Sequence, residues 1–201
     1  ENKMETKSRK MKFTDLKDML NQTGEKFSDR PAYVFKTEKK GEFKEITYKQ
    51  LKNDIDSLGT ALINLGLEGK RVAVIGYNCY EWAVAHLSNL LGNIVSVPLD
   101  KGLQIGELEN SLVRSEVEAI VFDHKLEEVM KEIIKNGKTK IKYYICTEKM
   151  PEYLYFYDLM ADGKKEIENG NKDYINAKID PYKMSILLFT SGTTSLSKAV
   201  M

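Results

Sequence analysis

Apolar residues recur at helical spacing in two stretches near the start of the chain. Positions 13–27 place large apolar side chains on one side of a helix, and positions 51–65 repeat apolar residues at steps of four and three, which is the spacing of one helix face. The second stretch follows Thr47 and Gln50, a capping-box pair in which the hydroxyl satisfies a free backbone N–H of the first turn. Gly66 stands where this helix would end. The pattern therefore predicts two amphipathic helices.

Between and after these helices, the pattern changes to that of β-strands. Segments 32–38 and 42–48 alternate between apolar and polar residues and are predicted to pair as a hairpin. From Arg71 onwards, short runs rich in valine and isoleucine alternate with helical segments. The predicted strands cover 71–77, 94–99, 119–122, 142–147 and 183–190, and the predicted helices between them cover 80–92, 105–116 and 125–137.

Strands that alternate with helices of ten or more residues call for a parallel sheet covered on both faces. Right-handed crossovers place the carboxyl ends of such strands along one edge, where ligands usually bind. Residues 151–182 are more polar and less regular, and predict a short helix and a surface connection leading to a final buried strand, 183–190. The predicted fold class is α/β: a largely parallel sheet with helices on both faces, plus a small N-terminal hairpin region.

The composition is that of a folded protein and narrows the range of functions. Of the 201 residues, 42% are hydrophobic and 30% charged, and the formal net charge of +1 gives no reason to expect nucleic acid or an anionic membrane as a partner. No apolar stretch reaches the ~20 residues of a membrane span. We expect a cytoplasmic protein in which residues 1–12 form a basic leader. The cysteines and histidines are too scattered for a zinc site or a disulfide framework: Cys79, Cys146, His86 and His124.

Two strand exits are weak candidates for chemistry. Gly76 is the only one of the three glycines that a G-x-G-x-x-G dinucleotide turn needs. Asn78 and Glu81 are interpreted as a second capping box, and Trp82 as a core aromatic residue. Asp100, after the next strand, is expected to serve a turn or a cap.

The segment after the last predicted strand concentrates the groups that bind phosphate. Phosphate binding needs exposed backbone N–H groups, small side chains, hydroxyl donors and a flexible cation. Gly192 gives the backbone access to positive φ. On the residues alone, a Ser/Thr-rich surface loop remains the alternative. The candidate binding residues are Thr190, Ser191, Gly192, Thr193, Thr194, Ser195 and Lys198.

Two other loop motifs are excluded. A Walker A loop counted from Gly192 needs glycine where Ser197 stands and serine or threonine where Ala199 stands. The nucleophile elbow G-x-S-x-G needs a serine with glycines two residues before and after it, and no serine of this segment has them. The loop therefore fits neither P-loop NTPases nor α/β-hydrolases.

The loop resembles the phosphate-loop signature of the adenylate-forming enzymes, which include acyl-CoA synthetases, luciferases and peptide-synthetase adenylation domains. Their usual form is T-S-G-T-T-G-x-P-K-G-V, and this sequence has T-S-G-T-T-S-L-S-K-A-V, with eight of eleven positions in agreement when the free one is included. The departures, at Ser195, Ser197 and Ala199, are all small residues. Upstream segments from SDRPAYVF to NIVSVPLDKGL look like the N-terminal part of a bacterial long-chain fatty acid–CoA ligase, so the resemblance covers nearly the whole chain after about residue 13.

The resemblance implies an enzyme that uses ATP to convert a carboxylate, most like a long-chain fatty acid, into an acyl-adenylate, and then transfers the acyl group to coenzyme A. It implies that residues 190–195 wrap the β- and γ-phosphates with Lys198 nearby, and that the Thr193 hydroxyl helps to hold Mg²⁺. The family's motifs for adenine, ribose and the hinge lysine follow the phosphate loop. Residues 13–201 are therefore expected to be the N-terminal part of an AMP-binding large domain, truncated after the loop, without a catalytic residue and inactive alone.

Three alternatives stay open at this point. The chain could be a nucleotide-binding regulatory module without ligase activity, or a structural α/β domain with a serine-rich exit loop. Within the enzyme hypothesis, it could belong to an adenylation domain for an aryl or amino acid. A homodimer is compatible with each of these alternatives.

Overall fold

The computed structural model describes residues 11–36, 41–190 and 198–200, and it has the predicted alternation of strands and helices. The strands are β1 (Pro31–Lys36), β2 (Phe43–Thr47), β3 (Arg71–Ile75), β4 (Val95–Leu99), β5 (Ala119–Phe122), β6 (Tyr143–Cys146), β7 (Leu154–Tyr155), β8 (Leu188–Thr190) and β9 (Lys198–Val200). The helices are α1 (Leu16–Lys26), α2 (Tyr48–Asn64), α3 (Tyr80–Leu90), α4 (Ile105–Ser115), α5 (Glu127–Asn136), α6 (Phe156–Glu168) and α7 (Asp173–Asn176).

Five parallel strands form the central sheet in the order β4-β3-β5-β6-β7. The chain therefore starts in β3, steps to one side for β4, and returns to the other side for β5. This reversal creates a topological switch point between β3 and β5, where α/β proteins commonly bind ligands at the carboxyl ends of the strands. The sheet confirms the predicted α/β class, and β1 and β2 form the predicted antiparallel hairpin.

Helices cover both faces of the sheet, as predicted. In β3, Val72 and Val74 belong to a core that contains side chains of α2, α3 and α6. Ala73 and Ile75 belong to a second core on the opposite face, with side chains of α4 and α5. Because successive side chains of a strand point to opposite faces, a strand buried on both sides must be apolar throughout. No helix in the described ranges is long and apolar enough to cross a membrane.

One of the two predicted capping boxes is present. The Thr47 hydroxyl accepts the backbone N–H of Gln50 at 3.2 Å at the start of α2, and Gly66 has a φ of 78° just beyond the end of this helix. The prediction for Asn78 and Glu81 is wrong. The residue before α3 is Cys79, whose side chain makes no capping hydrogen bond, and Glu81 lies within the helix, where it bonds to another element.

The prediction of a short helix and a surface connection for residues 151–182 is incomplete: a helix and an exposed connection, 177–183, are present, but the packing of the segment was missed. The segment forms the 13-residue helix α6, which packs on α2, and α7, which carries the fully buried Tyr174. The Tyr174 hydroxyl donates to the carbonyl of Ser88 at 3.0 Å. This packing was not predictable from apolar periodicity, because part of the contact surface is a glycine. A side chain on Gly163 would overlap the carbonyl oxygen of Ser57.

The last predicted strand, 183–190, is not a buried strand of the sheet. Ile186 forms a single parallel bridge with Ser96 of β4, and β8 then pairs antiparallel with β9. Leu188 and its partner Val200 are 47% and 49% exposed. The apolar run 186–189 is therefore divided between one buried residue, Leu187, and a partly exposed hairpin.

Candidate functional site

A cleft of about 620 Å³ opens at the switch point, beside the exits of β3 and β5. We call it the switch-point cleft. One wall is the β1–β2 hairpin, and the other consists of the first turn of α3 and the residues that follow the two strands. Its lining residues are Tyr33, Phe35, Lys36, Tyr77, Asn78, Cys79, Tyr80, Glu81, Trp82, Ala83, Asp123 and Lys125.

The approach of the β3 and β5 exits beside the cleft requires a glycine. A Cβ on Gly76 would lie 2.9 Å from the Cβ of Asp123, closer than real Cβ contacts. Asp123 is itself fixed, because its carboxylate accepts the backbone N–H of Lys125 at 3.0 Å and lies 3.3 Å from the imidazole of His124. The residues that follow β3 and β5 therefore approach too closely for any residue other than glycine at position 76.

Two lysines pack on the Tyr77 ring: Lys125 lines the cleft together with Asp123, and Lys101 lies outside its lining. The Nζ atoms of Lys101 and Lys125 lie 4.4 and 5.0 Å from the ring centroid of Tyr77, whose side chain is 44% exposed. Within the described ranges, neither ammonium group forms an ion pair with a carboxylate. The cation–π contacts orient both lysines and leave their charge available to a ligand.

The hairpin end is aromatic. Tyr33 and Phe35 pack on Tyr80 with ring centroids 5.4 and 6.4 Å apart, and the Tyr80 hydroxyl donates to Asp54 at 2.7 Å. Burial, followed by this hydrogen bond to a carboxylate, raises the pKa of Tyr80, so its hydroxyl keeps its proton. Burial likewise raises the pKa of Asp54.

Glu81 and Cys79 lie where α3 begins. The Tyr157 hydroxyl, from α6, donates to Oε1 of Glu81, and burial together with this bond raises the pKa of Tyr157. Burial raises the pKa of the Cys79 thiol to about 11. Because the thiolate is the reactive form, Cys79 is a lining residue of the cleft and not a nucleophile at neutral pH.

Two of the predicted phosphate-binding residues, Thr190 and Lys198, lie in the paired strands β8 and β9. Thr190 ends β8 and pairs with Lys198, the first residue of β9, so the two bracket the intervening loop. Ser191, Gly192, Thr193, Thr194 and Ser195, including the proposed metal ligand Thr193, lie outside the described residues. Among those described, no group of three or more histidine, cysteine, aspartate or glutamate side chains could hold a metal ion.

The chain leads into β8 toward the same edge of the sheet as the cleft. Ile186 runs parallel to β4, so the chain beyond it heads toward the carboxyl ends of the strands. Ile186 lies one strand beyond β4, and the switch point lies between β3 and β5. The distance between them is therefore two and a half strand spacings, or about 12 Å at ~4.8 Å per strand. A ligand of nucleotide size could therefore extend along this edge.

The sequence analysis did not identify the switch-point cleft. Tyr77, Lys101 and Lys125 were not predicted to lie together, although each lies two or three residues after the end of β3, β4 or β5. Their position just after strands was the only signal that the sequence offered. It could not identify a site, because the order of the strands in the sheet decides which strand ends are neighbours.

Comparison with known proteins identifies the family. The sequence model of the family described as "AMP-binding enzyme" matches residues 20–201. The mitochondrial medium-chain acyl-CoA ligase ACSF2 of Mus musculus is 25% identical over 204 residues, covering 92% of this chain and 32% of the mouse protein. Fatty acyl-CoA synthetase A of Dictyostelium discoideum is 28% identical over 173 residues, covering 81% of this chain and 25% of that protein. The chain thus spans about a third or less of these curated relatives.

Solved structures show the same fold. A long-chain-fatty-acid-CoA ligase (FadD1) from Archaeoglobus fulgidus superimposes with a TM-score of 0.74 at 19% identity, covering 96% of this chain and 38% of that one. The anthranilate CoA ligase AuaEII, in complex with anthranoyl-AMP, gives a TM-score of 0.73 at 17% identity, covering 94% of this chain and 34% of that one. At these identities the likeness concerns the fold. The family match, which spans most of the sequence, shows that this chain belongs to the AMP-binding enzymes.

Proposed function

We propose that the protein containing this chain activates a long-chain fatty acid with ATP and transfers the acyl group to coenzyme A. The carboxylate attacks the α-phosphorus of ATP and displaces pyrophosphate, which gives the acyl-adenylate. The thiol of coenzyme A then attacks the acyl carbonyl and displaces AMP. The observation that carries this proposal is the family match over residues 20–201, which includes the hydroxyl-rich loop.

The loop residues have distinct roles in this proposal. Backbone N–H groups and hydroxyls of residues 190–195 hold the β- and γ-phosphates, and Lys198 neutralises charge that develops during displacement of pyrophosphate. The Thr193 hydroxyl helps to hold Mg²⁺, which supplies further charge neutralisation on the phosphates. Such a site catalyses chiefly by positioning and charge stabilisation, which a loop of small residues beside a sheet edge can provide.

The acid is the least constrained part of the proposal. The relatives named above are a medium-chain acyl-CoA ligase and a fatty acyl-CoA synthetase, and long chain acyl-CoA synthetase 1 of Arabidopsis thaliana is 23% identical over 206 residues. A fatty acid is the substrate class common to these names. We also propose a cytoplasmic location and the possibility of a homodimer, with residues 1–12 as a basic leader outside the large domain.

The test is ATP–pyrophosphate exchange by the full-length protein with acids of increasing chain length. We expect exchange that depends on a fatty acid and is strongest with long chains. The 201-residue chain alone is the matched control, and we expect it to form no acyl-adenylate. Exchange supported only by aryl or amino acids would replace the substrate proposal, and nucleotide binding without exchange would favour a regulatory module.

A further inference from the structure

The β8–β9 hairpin is joined to the central sheet by few backbone contacts. Hydrogen bonds at 2.9 and 3.0 Å connect Ser185 and Leu187 to Ser96 of β4. Beyond Leu187, β8 pairs only with β9 among the described strands. The orientation of this part of β8, at whose end the proposed phosphate-binding residues begin, therefore depends on side-chain contacts.

Phe189 of β8 makes such a contact with α4. Its side chain packs against the core that contains side chains of α4 and α5. The guanidinium carbon of Arg114, in the last turn of α4, lies 5.7 Å from the centroid of the Phe189 ring. A guanidinium group at this distance from an aromatic face makes a cation–π interaction. The contact lies one residue before Thr190, the last residue of β8.

This contact decides which face of β8 is turned away from the core. Successive side chains of a strand point to opposite faces, so Leu188 and Thr190 lie on the face opposite to Phe189. That face is open: Leu188 and its cross-strand partner Val200 are 47% and 49% exposed, and Thr190 is exposed as well. Holding Phe189 against α4 therefore keeps Thr190 on the open face.

We propose that Arg114 is a positioning residue for phosphate binding. Its guanidinium holds the Phe189 ring against α4 and thereby fixes the orientation of Thr190, where the proposed phosphate-binding residues begin. Arg114 acts through Phe189 in this role. The inference rests on the proposed function, in which residues 190–195 hold the β- and γ-phosphates of ATP.

The two half-reactions of the full-length protein test this role. The β- and γ-phosphates take part when ATP reacts, whereas the reaction of coenzyme A with purified acyl-adenylate involves neither of them. Arg114→Met keeps a long apolar side chain and removes the charge. It should slow ATP–pyrophosphate exchange about fivefold, the scale of one cation–π contact, and leave thioester formation from acyl-adenylate unchanged. Arg114→Lys should restore most of the exchange rate, because an ammonium group also binds an aromatic face.

A second variant and a matched control define the contact. Phe189→Leu should slow pyrophosphate exchange as Arg114→Met does, and the double variant should be no slower than either single variant, because both changes remove the same contact. Arg30→Met is the control, since the guanidinium carbon of Arg30 lies 5.1 Å from the Phe27 ring centroid and precedes β1. It removes the same kind of contact elsewhere, and its exchange rate should equal that of the wild type.

Amide hydrogen exchange of the full-length protein, followed by mass spectrometry, tests the contact without catalysis. The rate of exchange reports how often a segment opens locally. Arg114→Met should speed exchange in peptides that contain β8 and β9 about fivefold, because the open state of the hairpin loses no cation–π contact in this variant. Arg30→Met should leave these peptides at the wild-type rate.

The outcomes separate this inference from the proposed function. The inference is overturned if Arg114→Met exchanges pyrophosphate like the wild type, if it slows both half-reactions equally, or if hydrogen exchange in β8 and β9 does not change. If the wild type shows no pyrophosphate exchange but the effect on hydrogen exchange appears as stated, the positioning of the hairpin by Arg114 is supported and the ligase proposal fails.

Discussion

At the scale of single residues, His86 shows how a lone histidine is accommodated. Its Nδ1 lies 2.8 Å from the Ser96 hydroxyl, its ring stacks on Trp82 at 5.1 Å, and Asn89 donates to the same hydroxyl at 3.3 Å. Burial lowers the pKa of His86. His86 is therefore a packed residue, and its surroundings favour the neutral ring.

This predicts a pH dependence of stability that His86 itself causes. The unfolded chain protonates this histidine below about pH 6.5, whereas the folded chain resists protonation until a lower pH. The free energy of unfolding should therefore decrease as the pH falls from 7 toward 5. Urea unfolding at several pH values should show a shallower decrease for His86→Asn than for the wild type. Equal slopes for the two proteins would contradict the assignment.

At the scale of elements, the contact between α2 and α6 is the feature that the sequence concealed. Phe156 and Met160 of α6 are buried in the same core as α2 residues. Gly163 completes the contact, because any side chain there would overlap the carbonyl oxygen of Ser57 and lie 3.1 Å from the backbone nitrogen of Ala61. The backbones of the two helices touch at this position.

Gly163→Ala should therefore destabilise the protein despite alanine's better helix propensity. Propensity favours alanine by about 1 kcal/mol, but overpacking against backbone atoms costs about 1–3 kcal/mol or more. We expect a net loss of stability in chemical denaturation. Gly106→Ala in α4 is the matched control, since a Cβ there meets nothing within 4 Å, and it should be neutral or stabilising. A Gly163→Ala protein as stable as Gly106→Ala would refute the close contact.

At the scale of the whole molecule, the residues that stabilise the fold lie apart from the β8–β9 hairpin, which carries proposed phosphate-binding residues. The two hydrophobic cores lie on the faces of the sheet, whereas β9 pairs only with β8 among the described strands. Changes at the loop should therefore affect chemistry more than folding.

Lys198→Ala in the full-length protein should slow adenylation by a factor on the order of 10²–10³, the usual scale for loss of one transition-state charge contact. Its thermal unfolding midpoint should stay close to that of the wild type. Lys140→Ala is the matched control, because this exposed lysine precedes β6 and pairs with Glu116, and it should retain both properties. An unchanged adenylation rate would assign the loop a structural role.

Much of the fold was predictable because its signals are local. The steps of three and four in α2, the Thr47 cap and the apolar runs of β3 and β5 depend only on neighbours along the chain, and each is present as predicted. The Asn78 cap failed because the residue before α3 is Cys79, one position later than predicted, so Glu81 does not have the spacing that a capping box needs. The prediction of a buried final strand failed because an apolar run does not reveal whether a neighbouring strand is available to pair with it along its whole length.

The sequence by itself determined the α/β class and the family resemblance, and it supplied the candidate phosphate-binding residues from Thr190 to Lys198, since periodicity and motif spacing are properties of contiguous residues. Only the tertiary structure decided that β5 lies beside β3, that Lys101 and Lys125 meet over Tyr77, and that α6 packs on α2. The physical reason is that strand order and helix packing depend on contacts between residues far apart in the chain, whose free energies no local pattern records.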